Sequence, residues 1–318
     1  MFDTTALSRA IAAHGPVTRI VVARVEGSSP REVGASMLVW EGGTQGTIGG
    51  GALEWEAIRA ARAGASGTTR HALGPSLGQC CGGAVTLWSE RWDHVPEGEI
   101  IARGAGEMPL PVARLLRRAR HGQAVAPHMV QGWMVEPVAR PTRQLWIWGA
   151  GHVGRALVDV IAPLPGIAIT WLDTAADRFP ATGIACRWDA DLPALAVTAP
   201  HDAEHLILTY SHAFDLEICH RLLGHGFAFA GLIGSATKAA RFRARLAALG
   251  HDPQRITCPI GDPTLGKHPQ AIAVGVASQL LRLKTTQKTT ETEIADDRER
   301  RAAAAGRPDQ GLSRRGGQ

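Results

Sequence analysis

The chain is poor in aromatic residues, poor in thiols and free of long apolar runs. Among its 318 residues, 5% are aromatic, mostly 9 tryptophans, and 5 are cysteine. No apolar run approaches membrane-spanning length, so no membrane partner is expected. The opening MFDTTALSRAIAAHG lacks the basic flank and apolar core of a secretory leader, which points to a cytoplasmic protein with reduced thiols. Basic residues do not alternate with aromatics and form no recognisable reading helix. The formal charge of +5 therefore gives no reason to expect a nucleic-acid partner. The cysteines also lack the Cys-x-x-Cys pairs of a structural zinc site. Cys186, Cys219 and Cys258 stand alone in apolar or mixed segments and read as small buried hydrophobes.

What is abundant is glycine, at 37 residues, and a length that favours two domains. Residues 1–95 alternate helical and strand-like patterns between glycine loops, which predicts a smaller mixed α+β domain. Residues 96–143 read as a helical segment, LPVARLLRRARHG, followed by a linker, MVEPVARPTRQ, whose prolines deny it ladder bonds. Residues 144–283 alternate buried strands and helices, the pattern of an α/β Rossmann-like parallel sheet covered on both faces. Residues 284–318 are polar and poor in large apolar side chains, and read as a disordered tail.

In WIWGAGHVG, Gly149, Gly151 and Gly154 form G-x-G-x-x-G directly after a buried strand, and Asp173 ends the next strand. The first glycine suits a tight turn, the second an approaching phosphate, the third close helix packing; Asp173 suits a ribose hydroxyl. That set would hold a nucleotide, yet the glycines also serve packing alone and Asp173 also serves as a helix cap. Farther on, His212, Asp215 and His220 form a weak metal-like set. Ser235, Thr237 and Lys238 in GLIGSATK stand where a strand-to-helix turn holds phosphate.

Three glycine loops mark the first domain: GSSPREVGASM with Arg31, GTIGGGALE with Gly49, Gly50 and Gly51, and GPSLGQCCGG with Gln79, Cys80 and Cys81. Their backbone N–H groups would converge on one ligand, with Arg31 as a planar fork for phosphate. Hairpin turns and a surface arginine are the plainer alternatives. Cys80 and Cys81 are adjacent, so a disulfide between them would be strained. A thiolate in such a loop would ligate a soft metal or carry sulfur, whereas a buried structural pair would do neither.

Taken together, GSSPREVGASMLV, GTIGGGALEWEAI, LGPSLGQCCGG, LWIWGAGHVG, FAGLIGSATK and RITCPIG resemble the XdhC/CoxI family, from the N-terminus to about residue 283. The resemblance implies a carrier and maturation chaperone, not an enzyme. Such a protein binds molybdenum cofactor in its molybdopterin form, protects it, supports its sulfuration by a cysteine desulfurase and delivers it to the molybdenum-binding subunit of xanthine dehydrogenase. It also implies that Cys80 or Cys81 contacts molybdenum, and leaves a homo-oligomer possible. The competing readings are an NAD(P)-dependent oxidoreductase, motivated by the glycine turn and Asp173, and a non-catalytic assembly protein.

Overall fold

A computed structural model describes residues 1–74 and 82–283. The chain divides into two compact units, Met1–Arg140 and Pro141–Gln318.

In the first unit, α1 (Thr4–His14) begins where the Asp3 carboxylate accepts the Ala6 amide at 2.8 Å, and stops at Gly15, φ 73°. It leads into β1 (Val17–Glu26), β2 (Ser36–Trp40), β3 (Gly43–Gly46), α2 (Gly51–Arg62), β4 (Gly67–Ala72) and β5 (Ala84–Trp92). The five strands make an antiparallel sheet in the order β3-β2-β1-β5-β4. Central β1 is covered on both faces, which explains its unbroken apolar run. Ile20 and Val22 pack with Leu53, Ala57 and Ala61 of α2, while Val17 packs with Leu7 and Ala10 of α1.

The reading of residues 96–143 as helix plus linker needs correction. The expected helix is there, as α3 (Leu110–Arg120), but it is flanked by β6 (Ile100–Arg103), β7 (His128–Val130) and β8 (Trp133–Pro137) in a three-stranded antiparallel sheet. Pro137 is tolerated because it closes β8 rather than interrupting it, so one missing N–H at a strand end costs little. The boundary falls after Arg140.

Buried ions join the two sheets of this unit. Arg19 on β1 donates to both oxygens of Glu136 on β8, at 2.9 and 2.8 Å. Arg103 on β6 holds Glu90 on β5 by two bonds, at 2.8 and 2.7 Å, and reaches Glu136 at 2.6 Å. Burial pushes the Glu136 carboxyl up, but Arg19 and Arg103 outweigh it and hold it below the usual range. Removing one member would leave an uncompensated buried charge.

The second unit runs β9 (Arg143–Trp148), α4 (His152–Ile161), β10 (Ile167–Asp173), β11 (Ala185–Trp188), β12 (Glu204–Ile207), α5 (His212–His225), β13 (Phe229–Leu232), α6 (Ala236–Ala248) and β14 (Ile256–Thr257). A last helix, α7, occupies residues 269–283. All six strands are parallel, in the order β11-β10-β9-β12-β13-β14. Counted from β9 this is 3-2-1-4-5-6, the Rossmann order, whose ligand crevice opens between the first and fourth strands. Each face has its own core: α5 and α6 cover one through Ile218, Leu222, Phe242 and Leu246, and α4 and α7 the other through Leu157, Ile161, Val276 and Leu280. Among the described residues, no helix is long and apolar enough to cross a membrane.

Candidate functional sites

At one end of the five-stranded sheet the glycine loops pack against each other. A Cβ added to Gly49 would lie 2.6 Å from the Pro30 ring, and one added to Gly83 would lie 2.2 Å from the Ser28 carbonyl and 2.5 Å from that of Glu26. The GSSPR loop thus touches both of the others through positions where only hydrogen fits. The Leu73 amide donates to the Gly83 carbonyl at 2.7 Å, pinning together the two ends of the third loop. Gln79, Cys80 and Cys81 themselves lie outside the described residues, as does the tail 284–318.

Around this junction several of the described polar groups already have partners. Gly49, Gly50 and Gly51 have φ of 129°, 75° and 65°, three successive conformations that side chains rarely adopt. That backbone turns the chain into α2 and brings Glu54 over it. The Glu54 carboxylate accepts from the Thr47 hydroxyl at 2.6 Å and from the Ile48 and Gly50 amides at 3.1 Å each, while the Gly49 amide donates to the Thr47 hydroxyl at 3.1 Å. Burial raises the Glu54 pKa, but the Thr47 hydroxyl and these amides outweigh it and hold it below the usual carboxylate value. Arg31 donates to Glu32 through two bonds of 3.2 Å and to the Thr47 carbonyl at 3.4 Å. The spacing of Glu54 from Thr47 across the glycine run is the sequence signal for this role.

In the second unit, Gly149 sits between β9 and β12. It has φ 121°, and a Cβ there would lie 2.6 Å from the Leu208 carbonyl oxygen. A Cβ on Gly154 would come within 2.0 Å of the Gly149 oxygen. These two glycines are required by packing. Gly151 differs: its φ is −72°, nothing lies within 4 Å of an added Cβ, and no side chain caps α4 there. His152 is exposed as the first residue of α4.

Asp173 is 1% exposed and holds the turn from below. One oxygen accepts the Ala150 amide at 2.6 Å; the other accepts the Thr174 amide at 2.7 Å, the Thr174 hydroxyl at 3.2 Å and Arg178 Nε at 3.2 Å. The Arg178 guanidinium also lies 5.1 Å from the Tyr210 ring centroid. Sequence reasoning did not single out Arg178, and its signal is only the spacing of five residues from Asp173.

Beyond β12, a cleft of about 320 Å³ is lined by residues including Val153, Thr209, Tyr210, His212 and Lys238. Asp215 is fully buried there, accepting the Thr209 amide and hydroxyl at 2.9 and 2.7 Å and Lys238 Nζ at 2.6 Å. His220 turns to His251, with ring nitrogens 2.7 Å apart. Among the described residues, no three His, Cys, Asp or Glu side chains are grouped to hold a metal ion. Cys219 and Cys258 are buried and Cys186 half-buried, and burial pushes all three thiols up.

Family comparison then resolves the kinship of both units. The XdhC Rossmann domain model matches residues 145–280, and the XdhC and CoxI family model matches residues 10–73. The chain belongs to the XdhC/CoxI family. With XdhC/CoxI membership comes an accessory role in xanthine dehydrogenase maturation. A solved structure described as a xanthine dehydrogenase from Bacillus halodurans is 20% identical, with a TM-score of 0.65 over 90% of this chain and 96% of the other. At that identity the likeness is one of fold. A search of curated proteins found no match.

Proposed function

We propose that this XdhC/CoxI chain carries molybdenum cofactor in its molybdopterin form, protects it, presents it to a cysteine desulfurase for sulfuration, and inserts it into the molybdenum-binding subunit of xanthine dehydrogenase. The observation that carries this reading is the meeting of the three glycine loops, through Gly49 against Pro30 and Gly83 against Ser28. It gathers Arg31 and both ends of the cysteine-bearing segment at one end of one sheet.

The fit of the described residues is partial. Arg31 suits the cofactor's phosphate, since its only carboxylate partner among the described residues is exposed Glu32, a pair held weakly in water. The Gly50 amide is less suited while Glu54 occupies it. The phosphate therefore falls to Arg31 and the GSSP loop, and the soft metal, following the family resemblance, to Cys80 or Cys81. When bound, the cofactor supplies the redox-active molybdenum centre, and the protein's part is to hold and shield it. A binding place built from surface loops suits a carrier that must also release its cargo.

The second unit offers a separate pyrophosphate or nucleotide subsite at Gly149–Gly154. The open position of Gly151 favours this, because a glycine that packing does not require leaves room for a phosphate to reach the backbone. An NAD(P)-dependent oxidoreductase remains the rival account of the same feature.

Anaerobic purification followed by molybdenum, phosphate and pterin analysis tests the carrier reading. Native protein should hold all three, Arg31→Gln and Cys80→Ala/Cys81→Ala should retain less, and loaded protein should activate purified apo-xanthine dehydrogenase in proportion to molybdenum transferred. Failure to transfer to a receptive apoenzyme would sink the insertion role. Hydride exchange with NAD(P)H would favour the rival.

A further inference from the structure

A cleft of about 520 Å³ opens in the first unit at the opposite end of the β2–β3 hairpin from the glycine loops. The hairpin pairs Met37 with Gly46 at the loop end and Trp40 with Gly43 at the cleft end. That separates the two places by roughly 10 Å of strand.

The floor of the cleft is a single cross-strand row. Thr18 on β1 is paired with Val39 on β2 and with Arg91 on β5, and residues paired in this way share one face. Thr18 and Val39 are buried, while Arg91 rises to the rim. Arg62, at the end of α2, comes over from the other side; its Nε donates to the Trp40 carbonyl at 3.3 Å, and both terminal nitrogens are without a hydrogen-bond partner among the described residues. Trp40 and His14 stack 4.2 Å apart at 7° and form a flat wall.

The charge of the cleft is unbalanced. The Arg91 side chain makes no hydrogen bond or ion pair among the described residues; nearby Asp93 is hydrogen-bonded to His94 at 2.6 Å. Glu41 is the one carboxylate among the lining residues, against Arg62 and Arg91. Two guanidinium forks facing one space suit an oxyanion that accepts from both.

We propose that this cleft is a binding site for a small aromatic molecule bearing a phosphate or carboxylate, held by Arg62 and Arg91 beside the His14–Trp40 stack. The site is separate from the glycine loops and does not rest on the carrier reading. Phenyl phosphate and benzoate, titrated calorimetrically into full-length protein while the His14 ring is followed by NMR, test it. At least one probe should bind one-to-one and shift the His14 resonances. Arg62→Gln and Arg91→Gln should each weaken binding about tenfold, in line with loss of a charge-assisted bond. Binding of only phenyl phosphate identifies a phosphoester as the ligand class, and binding of only benzoate a carboxylate. Arg117→Gln/Arg118→Gln, which removes two exposed α3 arginines, should bind as the parent does. Should a glutamine variant unfold, Arg62→Lys and Arg91→Lys keep the charge, lose the fork and should still weaken binding. No saturable binding at millimolar probe, an equal loss in the α3 control, or loss with Arg31→Gln would overturn the assignment.

Discussion

In the first unit the GTIGGG turn enters α2 with the Glu54 carboxylate folded back onto the Ile48 and Gly50 amides, whereas in the second the GAGHVG turn enters α4 with only its Ala150 amide held, by Asp173 from the end of β10; neither helix has a side-chain cap at its first residue. Both turns carry the amide donors and partial positive charge of a helix start. In one, a carboxylate from within the helix takes two amides of the turn; in the other, a carboxylate from the next strand takes the Ala150 amide alone, and the open face at Gly151 is left to solvent or a ligand. The difference teaches that a glycine run is not evidence of a phosphate site until its amides are accounted for. Gly149 and Gly154 are explained by neighbours closer than any Cβ allows, and Gly151 is not.

The comparison breaks most visibly within the second turn. Gly149→Ala places a Cβ against the Leu208 carbonyl at a φ of 121°, and should cost the second unit about 3 kcal/mol in chemical denaturation, the upper range for overpacking. A loss below about 1 kcal/mol would mean that the turn yields easily, and that crowding does not separate Gly149 from Gly151.

A smaller effect contrasts the buried titratable groups of the two units. His205 on β12 is buried among Trp146, Trp148 and Phe227 and accepts the Trp148 Nε1–H at 3.1 Å. Burial, then the nearby His225, lowers its pKa from 6.5 to about 3. Because the unfolded chain takes up this proton first, its stabilising effect is complete above pH 6.5 and is lost as pH falls toward 3. His205→Gln keeps an acceptor for Trp148 and removes the titration, so at pH 5 it should regain roughly 2 kcal/mol relative to its own loss at pH 7. Parallel stability–pH curves for parent and variant would argue against a buried neutral imidazole.

Glu54→Gln tests the self-supplied anion. At neutral pH it should cost the first unit about 1 kcal/mol, as loss of a charged cap does. The folded Glu54 pKa is depressed, so this contribution is full above the ordinary carboxylate value and disappears as pH falls through the folded one. A gap between parent and variant that persists in acid would assign the loss to packing.

The smallest change in stability belongs to Gly151→Ala, expected within about 1 kcal/mol of the parent. Binding of inorganic pyrophosphate, followed by calorimetry, should nevertheless be lost. Unchanged binding would reduce the GAGHVG turn to a packing device and remove the contrast with the first unit.

The legible parts of the molecule were those whose information is local. Val17–Glu26, Ala84–Trp92 and the strands and helices of residues 144–283 carry apolar periods and glycine punctuation strong enough to read directly. Short strands were missed, among them Gly43–Gly46, Gly67–Ala72 and the three around α3, because their few residues become strands only by pairing with distant partners. The site divided in the same way. Glycine positions and Asp173 were visible as a spacing, but not that four donors already converge on the Asp173 carboxylate.

By itself the sequence determined where backbone freedom is needed, which segments are apolar enough to form two cores, and which family the motifs resemble, since each depends on residue type and short-range spacing. Tertiary structure alone decided which glycines are crowded and which stand open, that Glu54 holds one turn from within its helix while Asp173 holds the other from the next strand, and that Arg62 and Arg91 face the same cleft. Those outcomes depend on distances between groups far apart in the chain or turned toward one another by the fold, and a hydrogen bond or a steric clash is set by a few tenths of an ångström that no spacing encodes.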